Sequence, residues 1–436
     1  MADYDLVIIG GSLAGRYAAI KAVQTKKVAL IEPDETTLFN LLFPYALSQL
    51  RQVKQQFFIP PNYQISLSWA EVSQWIENVI TNIEEKHSLT VLAALGVDVI
   101  VGNAEFSSQK LLIKVNSRKL SAHSYLIATG STISKAGLET HNYFTPANIR
   151  QQLDVTKAGK NWVVIGGNPD SITWTQVLNR LGFNVTLIVK SLQVLSSLDA
   201  DTSYLVQAIL EADGVRVLTD TSVSQVKEIE GKKWIQAGNE AIETDEILTC
   251  VGYEPNIKNL QLEAVNVKWH RRGIEVNSQL QTTNPQIYAC GDVIGGYSGA
   301  NISNYEAKIA VNNALSLPKL KVNYQSIPWG TYTSPQIAQV GFTENKAIQI
   351  YEKDVVVLPY YFKDVAAAQL KEETTGIFKI VMRRNGEILG ATIIGSQAAE
   401  LINIMALAIA QKLKIEAISH LFPLYPSFAE IFTFGR

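Results

Sequence analysis

The chain has 436 residues, enough for two or three domains each with its own core. Its hydrophobic fraction of 47% is that of an ordinary globular protein, and its charged fraction of 18% is low. A net charge of −2 gives no reason to expect nucleic acid or an anionic membrane as a partner, and the two lone cysteines, Cys250 and Cys290, form neither a CxxC pair nor a metal-ligand spacing.

The opening MADYDLVIIGG enters an apolar strand at once, which leaves no room for a signal peptide and predicts a cytoplasmic protein. YDLVIIGGSLAGRYAAIKAVQTKKVALIEPD then runs strand, glycine turn, helix, strand and acidic end, an order that makes the glycines informative. Gly10 suits the tight turn out of the strand and Gly15 the close packing of helix on sheet. Free N–H groups at the helix start suit a pyrophosphate. Ser12 replaces the middle glycine and crowds the backbone slightly. Glu32 stands where a carboxylate accepts the two hydroxyls of an adenosine ribose.

Further along, FFIPPNYQISLS is irregular, with Pro60 and Pro61 breaking any helix, and SWAEVSQWIENVITNIEEKHSL spaces its apolar residues as a core-packed helix does. YLIATGS reads as an apolar strand ending in a small-residue turn. NWVVIGGNPDSITWTQVLNRLGFNVTLIVKS repeats strand, turn, helix and strand with weaker chemistry. Gly166 and Gly167 remain, but Asn168 and Ser171 replace the other glycines, and Asp170 adds negative charge at the helix start. Lys190, placed at the end of the second strand, suits the 2′-phosphate of NADP. The unit is Rossmann-like; whether it still binds a nicotinamide nucleotide stays open. TTNPQIYACGDVIGG sets Asp292 at the tip of a strand, where open α/β sheets hold ligands. ELINIMALAIAQKL contains Asn403 and falls short of a membrane span.

Taken together these motifs resemble the flavoprotein disulfide reductases, the family of dihydrolipoamide dehydrogenase, glutathione reductase and mercuric reductase. The likeness also takes in CVGYEPN, where the family has a Gly-x-x-Pro-Asn turn, and a C-terminal third like the family's dimerisation domain. The resemblance implies an α/β fold with two Rossmann-like dinucleotide-binding domains, of FAD and NAD(P) type, plus a C-terminal α+β dimerisation domain that makes a homodimer. The implied boundaries are 1–150 and 271–325 for the split FAD domain, 151–270 for the NAD(P)-like domain and 326–436 for the interface domain. By family position Gly10, Ser12, Gly15, Glu32, Ala104, Thr129, Gly130 and Asp292 would hold FAD. Gly166, Gly167, Lys190 and Gly252 would serve a nucleotide, NADPH before NADH.

The departures cluster on the chemistry. Within TTLFNLLFPYALSQ the family's two cysteine positions fall on Leu38 and Phe43, which can neither attack a disulfide nor be regenerated by reduced flavin. Tyr425 takes the place of the family's acid–base histidine, with Pro426 and Glu430 kept, and would hydrogen-bond an acceptor while held by Glu430. With an unperturbed pKa near ~10, tyrosine is a poor base at neutral pH but a competent donor. Thr173 replaces a glutamate of the nicotinamide pocket, and Asn301 a further histidine. The pattern points to an FAD oxidoreductase without a dithiol relay, passing electrons from NAD(P)H to a non-thiol acceptor such as a quinone or a redox protein. Leu38 and Phe43 would then either line an apolar acceptor pocket or simply fill the space of the cysteines. Two other readings stay open: a flavin scaffold or sensor with a degenerate NAD(P) site, and an enzyme fed by a protein donor or by light.

Overall fold

The computed structural model describes residues 2–33, 42–48, 69–107, 111–134, 143–316 and 319–433. They fall into two compact units, the first made of Met1–Asn40, Gln74–Ser134 and Gly252–Val322, the second of Leu41–Ser73, Lys135–Val251 and Asn323–Arg436.

In the first unit β1 (Tyr4–Ile9), α1 (Leu13–Val23) and β2 (Val28–Glu32) build the opening strand, turn, helix and strand. β1 and β2 are Val, Ile and Leu runs buried along almost their whole length, as parallel strands covered on both faces require. Five parallel strands lie in the order Ile287–Ala289, Ala122–Ile127, β1, β2, Asp98–Val101. The winding therefore reverses between β1 and Ala122–Ile127, and the crevice beyond such a reversal is where open sheets take their ligands. Ala14, Ala18 and Ala22 of α1 share a core with Ala307 and Ala310 of the helix Ala300–Leu315. The small side chains let the two helices lie close. The expected core helix forms at Trp69–Glu85 and buries Ile76 and Ile80.

The second unit repeats the theme with β3 (Asn161–Ile165), α2 (Pro169–Arg180) and β4 (Asn184–Ile188). Four parallel strands run Arg216–Leu218, β4, β3, Glu246–Thr249, so the winding reverses between β3 and Glu246–Thr249. The same unit carries a five-stranded antiparallel sheet, whose strand Ile388–Gly395 is buried throughout and shares a core with the helix Ala398–Ala410. Buried Lys379 of that sheet meets Asp201 and Glu344, each at 2.8 Å, so a charge with 3% side-chain exposure is fully paired.

The observed boundaries differ from the expected ones at 150, 270 and 325: the first unit already ends its second stretch at Ser134, and Leu41–Ser73, expected in the FAD domain, belong to the second unit. The chain returns to the first unit already at Gly252, because Tyr253–Pro255 pairs antiparallel with Ser131–Ile133. It leaves again after Val322, whose N–H is held by Ser278 O. Among the described residues no helix is long and apolar enough to cross a membrane.

Candidate functional site

The first glycine turn sits at the winding reversal. Gly10 has φ +103°, and a Cβ there would lie 2.5 Å from Ala128 O, so the turn presses directly on the end of the neighbouring strand. At Gly15 a Cβ would come within 2.0 Å of Gly10 O, which fixes the helix start against the turn. Ser12 does more than crowd the backbone. Its Oγ caps α1 by accepting the Gly15 N–H at 3.4 Å and donates to Ala128 O at 2.7 Å, joining the turn to the ATG segment. Asn256 holds that segment from the other side, donating its N–H to Gly130 O at 3.0 Å and its Nδ2 to Thr129 O at 3.4 Å. The Thr129 hydroxyl is buried with no hydrogen-bond partner among the described residues.

Glu32 ends β2 and turns its carboxylate onto the same turn, where a Cβ on Gly11 would lie 2.2 Å from its Cδ. Its Oε1 is paired with the Arg16 guanidinium, while its Oε2 is buried and has no partner among the described residues. Arg16 itself gave no signal in the sequence pattern, because a basic residue on a surface-length helix reads as solvated. Ala104 begins a short antiparallel ladder in register with Val115. Asp292 lies in the turn Gly291–Ile294 that follows the strand Ile287–Ala289, and the Gly291 N–H donates to the buried Glu306 carboxylate at 2.7 Å.

The second turn keeps the backbone shape and changes the donors. Gly166 has φ +143°, and its Cβ would lie 2.5 Å from Cys250 O, again across the winding reversal. Asn168 caps α2, and its side chain accepts the Ser171 N–H at 3.0 Å. Pro169 occupies the first helical turn and has no N–H to offer. Two of the amides that would face a pyrophosphate are therefore spent or missing, an effect of Pro169 that pattern reading overlooked. Gly167 faces Val189, whose Cγ1 would be 2.6 Å from an added Cβ, just as Gly11 faces Glu32. The ribose-carboxylate position of this unit is thus held by a buried valine. Lys190 is corrected by one place: β4 ends at Ile188, and Lys190 lies beyond Val189 with its side chain exposed. Gly252 belongs to the other unit, with φ +122° and open space around it.

Residues 4–313 match the family model described as pyridine nucleotide-disulphide oxidoreductase, and residues 327–434 match the dimerisation domain of the same family. The chain belongs to this family. It is 30% identical to a mercuric reductase of Staphylococcus aureus, covering 98% of this chain and 81% of that protein. Against a dihydrolipoyl dehydrogenase of Bacillus subtilis the identity is 29%, covering 98% and 96%. Its fold matches the HOCl-induced flavoprotein disulfide reductase RclA from Escherichia coli with a TM-score of 0.86 at 21% identity, over 99% and 98% of the two chains. Family members use FAD with NAD(P)H, and the match to the family's dimerisation domain supports the expected homodimer. The first turn fits FAD on its own geometry: a cradle that a Cβ would fill at Gly10 and Gly15, beside two buried polar atoms, Glu32 Oε2 and Thr129 Oγ1, that have no partner among the described residues.

The residues expected at the family's thiol and histidine positions divide. Leu38 lies outside the described residues, as do Pro60 and Pro61. Phe43 is 2% exposed in the helical stretch 42–48, its ring 6.1 Å from that of Trp174 on α2. Tyr45, on the same stretch, packs its ring at a tilt against Tyr332, 4.5 Å between centroids, and burial pushes its phenol above the ordinary value. Thr173 shares a 2.6 Å hydrogen bond with Thr331 and donates to Pro169 O at 2.9 Å. Tyr425 is 78% exposed in the single chain. The expected Tyr425–Glu430 contact is absent. Glu430 instead accepts the Ser427 N–H at 2.7 Å, closing the last helical turn as a capping box. Cys250 and Cys290 are free and buried, and burial drives both thiols well above the ordinary range, with Asp170 and Glu306 adding to it respectively.

Proposed function

We propose that this protein is an FAD oxidoreductase that performs no disulfide chemistry and delivers electrons to a non-thiol acceptor such as a quinone or a redox protein. One observation carries the reading. The only two cysteines of the chain end buried strands, one in each unit, where low dielectric keeps them as neutral thiols. A relay needs a thiolate able to attack, and a neutral thiol sealed from solvent is not one. FAD, when bound, would accept a hydride from NAD(P)H and release two electrons to the acceptor. What the chain contributes is the cradle at Gly10, Gly15, Thr129 and Gly130 and the carboxylate of Glu32, while Phe43, buried against Trp174, fills the position expected for one thiol. Tyr425 is the proposed hydrogen-bond donor to the acceptor, acting without Glu430.

A second reading, a flavin scaffold with a degenerate nucleotide site, is favoured by Pro169, the Asn168 cap and Val189. The test is the visible spectrum of the purified protein, followed by anaerobic titration with NADPH and separately NADH. Bleaching of the flavin band, with electrons then passed to quinones and none to lipoamide or glutathione disulfide, is expected for the oxidoreductase. A flavin that neither nucleotide bleaches moves the protein to the scaffold reading. Turnover of a disulfide overturns the proposal.

A further inference from the structure

The Arg16–Glu32 pair is difficult to explain as a stabilising device. Arg16 is 6% and Glu32 3% exposed, both inside the first unit. Charged side chains at that depth are rare unless paired, and a buried pair is typically no more stable than apolar residues of the same volume. The pairing is also lopsided. Arg16 spends Nε on Gly11 O at 2.9 Å, Nη1 on His87 O at 2.5 Å and Nη2 on Glu32 Oε1. Glu32 Oε2, at the glycine turn, has no partner among the described residues. A carboxylate that needed only neutralising would take the two parallel N–H bonds a guanidinium offers.

We infer that Arg16 is a positioning residue for FAD: it clamps Glu32 through one oxygen so that the other faces the adenosine ribose as a preset acceptor. The inference rests on FAD as the bound group and adds to it a role that Glu32 cannot play alone. Three acceptors from three segments, the turn at Gly11, the loop at His87 and the end of β2, fix the guanidinium plane, and the plane fixes the carboxylate. The clamp has an electrostatic side as well. The same turn must hold a diphosphate, and a bare carboxylate lying on Gly11 would repel it; Arg16 cancels that charge locally. Glu32 can then accept hydrogen bonds from hydroxyls beside an anion without weakening the anion's binding.

The test compares FAD with an FAD analogue whose adenosine lacks the ribose 2′-hydroxyl, using reconstituted full-length protein and flavin fluorescence to read Kd. Wild type should prefer FAD by roughly 10- to 100-fold, as a charge-assisted hydrogen bond implies. Arg16→Met should weaken FAD by about 10-fold or more and bring the preference to near 1, since a freed Glu32 no longer presents its oxygen. Arg16→Lys should recover part of the preference. Glu32→Gln, which keeps the shape, should lose it as well. A Met variant that weakens FAD and the analogue equally would make Arg16 structural only and overturn the inference. So would one that keeps the wild-type ratio. If Arg16→Met does not fold, the Lys and Gln variants decide: an unchanged ratio in both refutes the clamp. Wild-type protein that binds no flavin would instead sink the FAD reading itself, an outcome distinct from any change in ratio.

Discussion

The two glycine turns have nearly the same backbone and the same kind of cap, and differ in the groups that face the turn. In each, a glycine with positive φ lies where a Cβ would meet, at 2.5 Å, the carbonyl across the winding reversal: Ala128 O for Gly10 and Cys250 O for Gly166. In each, the next glycine faces the end of the second strand, where Gly11 meets a carboxylate and Gly167 a valine. Each turn spends one helix-start N–H on its cap, Gly15 on Ser12 and Ser171 on Asn168, but the first leaves Glu32 Oε2 and Thr129 Oγ1 without partners among the described residues, while the second also lacks an amide at Pro169. Backbone shape is retained because it packs the helix on the sheet whether or not a nucleotide binds. Donors and acceptors have no such structural duty and can be lost separately.

The strongest way to break the comparison is to fill each cradle. Gly15→Val puts a side chain 2.0 Å from Gly10 O and should abolish flavin retention, with the ratio of flavin to protein absorbance falling at least ~100-fold, since a displaced helix start forfeits several hydrogen bonds to the pyrophosphate. Gly166→Val should destabilise the second unit by about 3 kcal/mol through strain and overlap while leaving bound flavin in place; thermal denaturation with flavin release as a second probe separates the two effects.

A smaller effect tests whether the second turn can be reopened. Asn168→Gly combined with Pro169→Ala frees the Ser171 N–H and restores an amide, and should tighten NADPH by about 5- to 10-fold in anaerobic flavin titrations. The cap itself costs little, because glycine is only a few tenths of a kcal/mol worse than asparagine there. Unchanged affinity would mean that Val189, not the amides, limits the site.

The smallest effect concerns the thiols. Both should resist thiol reagents at pH 8 in the native protein and react fully in denaturant. Their folded pKa values lie above the ordinary 9.0, so the neutral form is the native one. Their contribution to stability is accordingly complete below the unfolded value and is lost as pH rises through the folded one. Rapid modification of either at pH 8 in the native state would remove the main support for a thiol-free mechanism.

Much of the site was legible because its signals are local. The order strand, Gly10, Gly15, strand, Glu32 is set by chain geometry within one βαβ unit, and the apolar runs of the strands declare burial on both faces. The scarcity of thiols was equally legible, since the chain has only two cysteines, which end separate buried strands. Other features depended on contacts between distant segments. Arg16 becomes a clamp only when the loop at His87 and the end of β2 converge on it. Lys190 and Val189 differ by one position, and a one-residue step in a strand reverses which side chain faces the turn. The resemblance ties Glu430 to Tyr425, whereas its carboxylate accepts the Ser427 N–H instead. The sequence by itself determined the repeated fold and the residue types at each turn, because periodicity and glycine requirements are short-range. Only the tertiary structure decided which oxygen of Glu32 stays available, which residue faces Gly167 and which amides remain free, because partner choice among buried polar groups is settled by three-dimensional proximity.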